Sequence, residues 1–296
     1  MAQQIMTVRG PVDPQVLGVI DAHSHLWIDR VPGADESAPV LNDAAAIESE
    51  LRAFRAAGGS AIVDCQPYKA GRDANRLRQL SGASGVHVIA CTGFHLRRYY
   101  ADDNAPLWSM TTEAAAAFLL DELRQGTTES RGTDAVVYPG FIKIAAEATL
   151  EASPLHLFEA AAAAAKASGC AIEMHAERGA AIEEFLALFL AQGMTADKLV
   201  FCHVDKRADF GLHREMAQAG VLLEYDTFLR AKYDPERGVW PLLFQMVEVG
   251  LAQHVALATD MAGGEWWAQI GGGPGPAAFI THIQARLIDA GLDETV

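Results

Sequence analysis

The sequence predicts an α/β protein, a (β/α)8 barrel in which a helix follows each of eight parallel strands. Two observations predict this fold: eight apolar runs alternate with helical stretches, and no break in composition divides the 296 residues. Continuous apolar strands between helices are typical of a parallel sheet covered by helices. An open doubly wound sheet is the alternative, but no Gly-x-Gly-x-x-Gly motif follows the first strand. We therefore predict one barrel domain over residues 1–296, with residues 1–18 as an extended lead-in.

The predicted strands are short apolar runs that end in polar loops. They span residues 19–25, 60–65, 86–92, 141–145, 171–175, 198–203, 221–226 and 254–260. In the first helix Ile47, Leu51 and Phe54 are spaced by four and three, as an amphipathic helix requires, and Gly58-Gly59 ends it. The eight helices are predicted at residues 44–57, 73–81, 113–125, 154–168, 180–192, 212–218, 241–249 and 277–290.

The chain is acidic, with 38 Asp and Glu against 23 Lys and Arg and a net charge of −15. This balance argues against a general nucleic-acid binder and against docking on anionic lipid, because phosphate groups would repel the protein. No stretch approaches the roughly 20 apolar residues of a membrane span, and residues 1–10 lack the apolar core of a signal peptide. The four cysteines show no Cys-x-x-Cys spacing, which favours reduced thiols in a cytoplasmic protein.

Unusual polar residues fall at the ends of several predicted strands. His23 and His25 end the first strand, and residues two apart on a strand share a face, so both imidazoles point the same way. His175 and His203 end the fifth and sixth strands, and Asp260 ends the eighth, which lies beside the first in a barrel. These five side chains are expected to meet at the C-terminal mouth, where barrel enzymes build their active sites. Neutral imidazole is a common metal ligand, so the cluster predicts a metal site.

Lys143 lies inside the fourth predicted strand, between Ile142 and Ile144. A lysine in a buried strand must be paired, neutralised or modified, because an isolated buried charge is costly. Burial is expected to lower the pKa of the amine and to make it nucleophilic. The neutral amine can add carbon dioxide to give a carbamate whose two oxygens bridge two cations. A structural lysine paired with Glu147 or Glu173 is the alternative.

Several short motifs stand in order along almost the whole chain. They are Thr7-Val8-Arg9-Gly10-Pro11, Asp21-Ala22-His23-Ser24-His25, Ile62-Val63-Asp64, Gly71-Arg72-Asp73, Thr92-Gly93-Phe94, Phe141-Ile142-Lys143-Ile144-Ala145, Glu173-Met174-His175-Ala176, Phe201-Cys202-His203 and Thr259-Asp260. This ordered set resembles the phosphotriesterase-like family of the amidohydrolase superfamily. The first motif of that family is more often His-Glu-His, and Ser24 replaces the Glu here. That side chain is expected to point away from the metals.

The resemblance implies a binuclear metal centre, usually zinc, at the C-terminal ends of the barrel strands. By family analogy, its ligands are His23, His25 and Asp260 for the buried ion, His175 and His203 for the exposed ion, and carboxylated Lys143 for both. Two cations about 3.5–4 Å apart lower the pKa of a bridging water towards neutrality, and the exposed ion polarises the substrate. Hydroxide would then attack, and Asp260 would pass its proton towards the leaving group. The implied catalytic residues are therefore Asp260 and Lys143.

Substrate-binding residues are expected on loops that follow the strands. Arg230, Lys232 and Tyr233 follow the seventh strand, where barrels frequently place an anion site. Together they would bind a phosphate or carboxylate, and a solvated basic turn is the alternative. Tyr99 or Tyr100 is expected to hydrogen-bond the substrate carbonyl, and a loop tyrosine that packs on its neighbours is the alternative.

The loop after Asp260 suggests a different kind of wall. Relatives that open phosphorylated lactones tend to carry an arginine soon after this aspartate, and no arginine follows it here. Trp266 and Trp267 instead suggest a wider apolar wall or a less anionic substrate. His95 and His213 have no metal-like placement, and they are predicted to be ordinary loop and helix residues.

The preferred hypothesis is a metal-dependent lactonase with two divalent ions and a carbon dioxide-derived carbamate. A phosphotriester hydrolase is the alternative within the enzymes, and a non-catalytic binding protein that keeps the metal site is the alternative outside them. The expected partner is a small-molecule substrate. A homodimer is a further expectation from the family, although no stretch identifies an interface.

Overall fold

The computed structural model describes residues 4–101 and 104–292. Eight parallel strands form a nearly closed barrel with helices, which confirms the predicted fold class. Two short strands precede it, β1 (Ile5–Thr7) and β2 (Gly10–Val12), and they pair antiparallel. The lead-in therefore contains a short hairpin. The barrel strands are β3 (Val19–Ser24), β4 (Gly59–Asp64), β5 (His87–Gly93), β6 (Phe141–Ala146), β7 (Ile172–Ala176), β8 (Leu199–Cys202), β9 (Leu222–Tyr225) and β10 (Val255–Leu257).

The helices cover the barrel through their apolar faces. In the first of them Ile47, Leu51 and Phe54 are fully buried, and Asp43 caps its N-terminus by accepting the Ala46 amide. Seven helices match the predicted series: α1 (Ala44–Ala57), α2 (Ala74–Ser84), α3 (Thr112–Gln125), α4 (Leu155–Ser168), α5 (Ile182–Ala191), α6 (Phe210–Ala219) and α7 (Val239–Glu248). Among the described residues, no helix is long and apolar enough to cross a membrane.

The last helical segment differs from the prediction. One continuous helix over residues 277–290 is expected, whereas the chain forms a π-helical stretch at Phe279–Gln284 and then a short helix, α8 (Ala285–Asp289). Phe279 and Ile283 point into the core from the π-helical stretch, while Ile288 in α8 is 57% exposed. The register of the buried side chains therefore changes along this segment, which a pattern of period 3.6 does not predict.

The barrel closes without a continuous ladder. Neighbouring strands pair in the order β10-β9-β8-β7-β6-β5-β4-β3, and the described residues contain no ladder between β10 and β3. Polar bonds join this seam instead: the Thr259 amide and hydroxyl donate to the Asp21 carboxylate at 3.1 and 2.6 Å, and the Asp260 amide donates to the His23 carbonyl at 2.8 Å. Because β10 ends at Leu257, Asp260 lies beyond the strand and not within it as predicted.

Gly93 lets β5 approach β6 closely at Lys143. Gly93 ends β5 with φ +121°, and a Cβ at this position would collide with the Lys143 carbonyl. The next amide, that of Phe94, donates to the same carbonyl at 2.9 Å. A glycine is therefore required here, and the contact fixes the backbone that carries Lys143.

Candidate metal centre

Five of the six predicted ligands line one cavity at the C-terminal ends of the strands. They are His23, His25, His175, His203 and Asp260. His23 lies in β3 and His25 directly follows it, so the alternation of the strand places both on one side. His175 belongs to β7, His203 follows β8 at once, and Asp260 follows β10. Parallel strands that end at one mouth therefore bring together residues far apart in sequence.

The imidazoles are close together, and His23 differs from the other three in its charge: burial lowers the pKa of His23, but Cys65 and Glu224 raise it well above the ordinary value. Nε2 of His23 and Nε2 of His25 each lie 3.7 Å from Asp260 Oδ1. The ring centroids of His175 and His203 are 4.6 Å apart. Burial lowers the pKa of His25 to about 3 and holds the pKa of both His175 and His203 below the ordinary value. These three side chains are therefore neutral at pH 7, and neutral imidazole is the form that binds a metal.

Asp260 is held from two sides. Its Oδ1 faces His23 and His25, and its Oδ2 lies 3.0 Å from Nη2 of Arg230. Burial raises the pKa of the Asp260 carboxyl, but His203 and Arg230 lower it below its usual range, so the group is a carboxylate. Asp260 and His203 both have positive φ angles, +48° and +64°. Residues other than glycine seldom adopt this conformation, and such strain concentrates at functional sites.

Each of three histidines is oriented by a partner on its second ring nitrogen. His25 Nδ1 lies 2.7 Å from Gln66 Oε1, and His23 Nδ1 lies 2.8 Å from Glu224 Oε1. His203 Nδ1 makes a short contact with Asp226 Oδ2. A partner of this kind fixes the ring and leaves Nε2 free for a metal. Sequence reasoning missed Gln66, Glu224 and Asp226 as site residues, although each lies at or just beyond the end of a strand.

Lys143 is fully buried in β6 and is absent from the described lining of the cavity. Its Nζ lies 2.7 Å from Glu173 Oε1, 3.3 Å from Cys202 Sγ and 3.4 Å from His23 Nδ1. Burial lowers the pKa of Lys143, but Cys202 and Glu173 raise it well above its ordinary value. Glu173 therefore offsets the decrease in pKa that burial causes in the unmodified lysine, because it stabilises the ammonium. Of the two partners considered, Glu147 and Glu173, the structure shows Glu173.

The donor sets fit divalent metal ions. His23, His25 and Asp260 place one ligand atom each within 4.8 Å of one another, and so do His203, Asp226 and Asp260. Imidazole nitrogen and carboxylate oxygen are ligands that zinc and related ions accept. Within the described part of the chain, Asp226 Oδ1 is buried without a hydrogen-bond partner. Lys206 Nζ lies 3.5 Å from this oxygen, so its ammonium already offsets part of the cost of burying the carboxylate.

Comparison with known proteins identifies the family. The model of the phosphotriesterase family matches residues 3–295. The chain belongs to the phosphotriesterase family. A phospho-furanose lactonase from Mycoplasmopsis synoviae is 28% identical over 266 aligned positions, which cover 86% of this chain and 75% of that protein. An N-acetyltaurine hydrolase from Tetraodon nigroviridis is 27% identical over 338 positions, covering 99% and 94%. The family predicted from the ordered motifs is confirmed.

Solved structures share the fold of this phosphotriesterase-family chain. A lactonase from Listeria monocytogenes matches with a TM-score of 0.89 at 22% identity, covering 97% of this chain and 92% of that one. A resiniferatoxin-binding protein from Rhodobacter sphaeroides matches with a TM-score of 0.82 at 23% identity, covering 99% and 90%. At these identities the likeness shows a common barrel fold.

The residues predicted to bind substrate differ in their placement within this family fold. Tyr99 lines the cavity. Tyr100 is only 3% exposed, and its hydroxyl accepts the His95 amide and donates to a backbone carbonyl. Trp267 is fully buried, and its Nε1 donates to the Met261 carbonyl. The structure therefore corrects Tyr100 and Trp267 to packing residues, because their polar atoms are already bound inside the protein.

The basic turn after β9 does not form a three-residue anion site. Arg230 turns towards Asp260, and its guanidinium carbon lies 4.6 Å from the centroid of the Trp266 ring. Lys232 is exposed, and its Nζ lies 4.9 Å from the centroid of the Tyr233 ring. None of these four predicted contacts, Arg230, Lys232, Tyr233 and Trp266, belongs to the described cavity lining. Arg230 instead acts on the site through Asp260.

His95 and Arg30 are among the residues outside the predicted set that line the cavity of this family member. His95 was expected to be an ordinary loop residue, but its ring centroid lies 5.2 Å from that of His175 and 4.6 Å from that of Tyr99. His213, by contrast, lies in α6 and bonds within the fold, as expected. Arg30, on the loop after β3, lines the cavity and makes no hydrogen bond or ion pair with the described residues. The length of that loop, residues 29–43, was the only sequence signal for a wall here.

Proposed function

We propose that this protein is a metal-dependent hydrolase that opens a lactone ring, with two divalent ions, zinc in the first instance, at the candidate metal centre. The observation that carries this proposal is the cluster of four imidazoles and one carboxylate around a single cavity. Membership of the phosphotriesterase family supports a hydrolytic centre, and a relative aligned over most of the chain is named a lactonase. A carbamate on Lys143 would complete the ligand set.

The residues of the cavity have distinct parts in this reaction. Ions held by the six predicted ligands would polarise the substrate carbonyl and supply hydroxide near neutral pH. Asp260 Oδ1 faces Nε2 of His23 and His25, so it is placed to take a proton from the attacking water and to deliver it to the leaving oxygen. Arg230 binds Oδ2 and holds the carboxylate in this orientation. Tyr99 in the cavity wall supplies a hydroxyl for the carbonyl oxygen of the substrate.

We also propose that the lactone carries an anionic group, which Arg30 binds. The guanidinium of Arg30 is exposed at the cavity and has no partner among the described residues, so it is available to a ligand. Arginine recognises phosphate and carboxylate through paired hydrogen bonds. The name of the phospho-furanose lactonase relative supports a phosphorylated substrate.

All four cysteines are free thiols, which supports the cytoplasm as the compartment.

The decisive experiment is a hydrolysis screen with zinc-replete protein. Gamma- and delta-lactones, with and without a phosphate, are compared with phosphotriesters and N-acyl amides. We expect lactone turnover that falls about 10²- to 10⁴-fold in Asp260→Asn, because the general acid–base group is lost. Asp234→Asn is the matched control, since Asp234 is also an aspartate with positive φ on a loop but is exposed and outside the cavity.

Each outcome of the screen separates the alternatives. Phosphotriester turnover without lactone turnover would favour the phosphotriesterase alternative. No turnover of any ester, amide or phosphotriester by zinc-replete protein would favour a binding protein. Arg30→Ala is expected to raise KM for the phosphorylated lactone and to leave KM for the neutral lactone unchanged. An equal change in both KM values would refute the contact between Arg30 and an anionic group, but it would not refute the lactonase activity.

A further inference from the structure

A second polar cluster lies inside the barrel, outside the described lining of the cavity. The register of β6 and β7 pairs Lys143 with Glu173, so the two side chains enter the interior side by side. Glu173 Oε1 lies 2.7 Å from Lys143 Nζ, 2.9 Å from Cys65 Sγ and 3.3 Å from Cys202 Sγ. Glu173 is only 5% exposed, and a glutamate is seldom buried unless it has partners such as these. A buried carboxylate therefore faces the one predicted ligand that has to be modified.

Carboxylation changes what the nitrogen of Lys143 needs. The reaction joins Nζ to the carbon of carbon dioxide and releases two protons from the ammonium, so that a single N–H remains. Because Lys143 is fully buried, this N–H needs an acceptor inside the protein. The acceptor has to lie close to Nζ and must be able to accept this N–H in addition to its other donors, as a carboxylate oxygen can.

The neighbours of Nζ leave one strong acceptor. His23 Nδ1 lies 3.4 Å away, but this atom faces Glu224 Oε1 at 2.8 Å and carries a proton when Nε2 binds a metal. Cys202 Sγ lies 3.3 Å away, and a thiol is a weak acceptor. Glu173 Oε1, at 2.7 Å, is the nearest of the three and has no proton of its own to place as a carboxylate.

We infer that Glu173 is the positioning residue for the carbamate of Lys143: its Oε1 accepts the remaining N–H and fixes the nitrogen, so that the two carbamate oxygens are directed to the ions. This inference rests on the proposed function, because it requires the carbamate and the two-metal centre. It adds a residue on a neighbouring strand, which acts through Lys143 and does not itself contact the metals.

The test compares two substitutions of nearly equal shape. Glu173→Gln keeps an acceptor oxygen at this position and removes the charge, whereas Glu173→Met removes the acceptor. Full-length wild type and variants are loaded with zinc and ¹³C-labelled bicarbonate, and two quantities are measured: the ¹³C resonance of the carbamate and zinc per chain by plasma mass spectrometry. Glu147→Gln is the matched control, since Glu147 follows the same strand but is not bonded to Lys143.

Glu173→Met is expected to lose the carbamate resonance and to bind the second zinc about 10- to 100-fold more weakly, as for other residues that orient metal ligands. Glu173→Gln and Glu147→Gln are expected to keep the resonance and about two zinc ions. Full resonance and full zinc in Glu173→Met would overturn the inference, as would a stronger resonance, because Glu173 would then restrain Lys143. Should Glu173→Met not fold, loss of the resonance in folded Glu173→Gln also overturns it. A wild type without the resonance would instead refute the carbamate in the proposed function.

Discussion

The two oxygens of Asp260 have different neighbours, and this division sets what the residue can do. Oδ1 faces Nε2 of His23 and of His25 at 3.7 Å, whereas Oδ2 is bound by Arg230 at 3.0 Å. The guanidinium of Arg230 is itself held over the ring of Trp266 at 4.6 Å. Oδ1 is thus directed to the two histidines, whereas Oδ2 is bound by Arg230, which orients the carboxylate. We propose that Arg230 acts through the position and ionisation of Asp260.

This arrangement predicts the effect of Arg230→Ala. The substitution frees Oδ2, so the Asp260 carboxylate can rotate and its pKa is no longer lowered by the guanidinium. We expect kcat on the best lactone to fall about 10- to 100-fold, the usual loss when an orienting partner is removed. The measurement is steady-state kinetics of zinc-replete protein. Arg237→Ala is the control, because Arg237 is exposed on the same segment and is expected to leave kcat unchanged. An effect on KM alone would show instead that Arg230 binds substrate.

The residues of the site differ in how far the sequence predicts them. His23, His25, His175 and His203 could be found because imidazoles at the ends of apolar strands are unusual and barrel topology brings them to one mouth. Glu173 could be named only as one of two partners for Lys143, since the choice depends on the register between β6 and β7. The partners of the histidines, such as Gln66, could not be found at all, because no spacing links them to their rings.

At the scale of elements, the seam between β10 and β3 determines where Asp260 lies. The chain leaves the ladder at Leu257, three residues before Asp260, and Asp260 then takes a φ of +48°, which no regular strand allows. The sequence run over residues 254–260 predicts a longer strand, because apolar composition does not reveal where hydrogen bonding stops. Thr259 replaces the missing ladder by binding Asp21 with its amide and its hydroxyl.

Thr259→Val therefore tests the seam. Valine keeps the shape of threonine but removes the hydroxyl that binds Asp21 Oδ2 at 2.6 Å. We expect the free energy of unfolding to fall by about 1–3 kcal/mol, because a buried oxygen loses its donor. We also expect weaker zinc binding, because Asp260 follows directly in the chain. Urea unfolding and zinc titration measure the two effects.

The control for the seam is Thr92→Val. Thr92 is buried like Thr259, and its hydroxyl binds the Glu122 carboxylate at 2.6 Å, away from the β10–β3 seam. A similar loss of stability is expected there, with zinc affinity unchanged. Equal zinc affinity in Thr259→Val and wild type would show that the seam does not position Asp260.

At the scale of the whole molecule, the proposed metal centre connects strands that the sheet alone does not join. Its ligands come from β3 and β6, from β7, and from the segments that follow β8 and β10. His23 and Asp260 lie on opposite sides of the seam where the described residues form no ladder. A metal bound to both would therefore link the first and last strands of the barrel. Substrate binding and barrel closure would depend on the same few bonds.

Removal of the metal should then destabilise the whole barrel. An ion that binds only the folded protein stabilises it by about 2.7 kcal/mol per site when its free concentration is 100 times Kd. We expect a chelator to lower Tm and to increase amide hydrogen exchange first in β3 and β10, next to the seam, and zinc to restore both. The double variant His23→Ala/Asp260→Ala is expected to show no change in amide exchange at β3 and β10 on chelation, because both sides of the link are gone. If chelation lowers the activity but changes neither Tm nor exchange at the seam, then metals serve the chemistry and the polar bonds of Asp21 suffice to close the barrel.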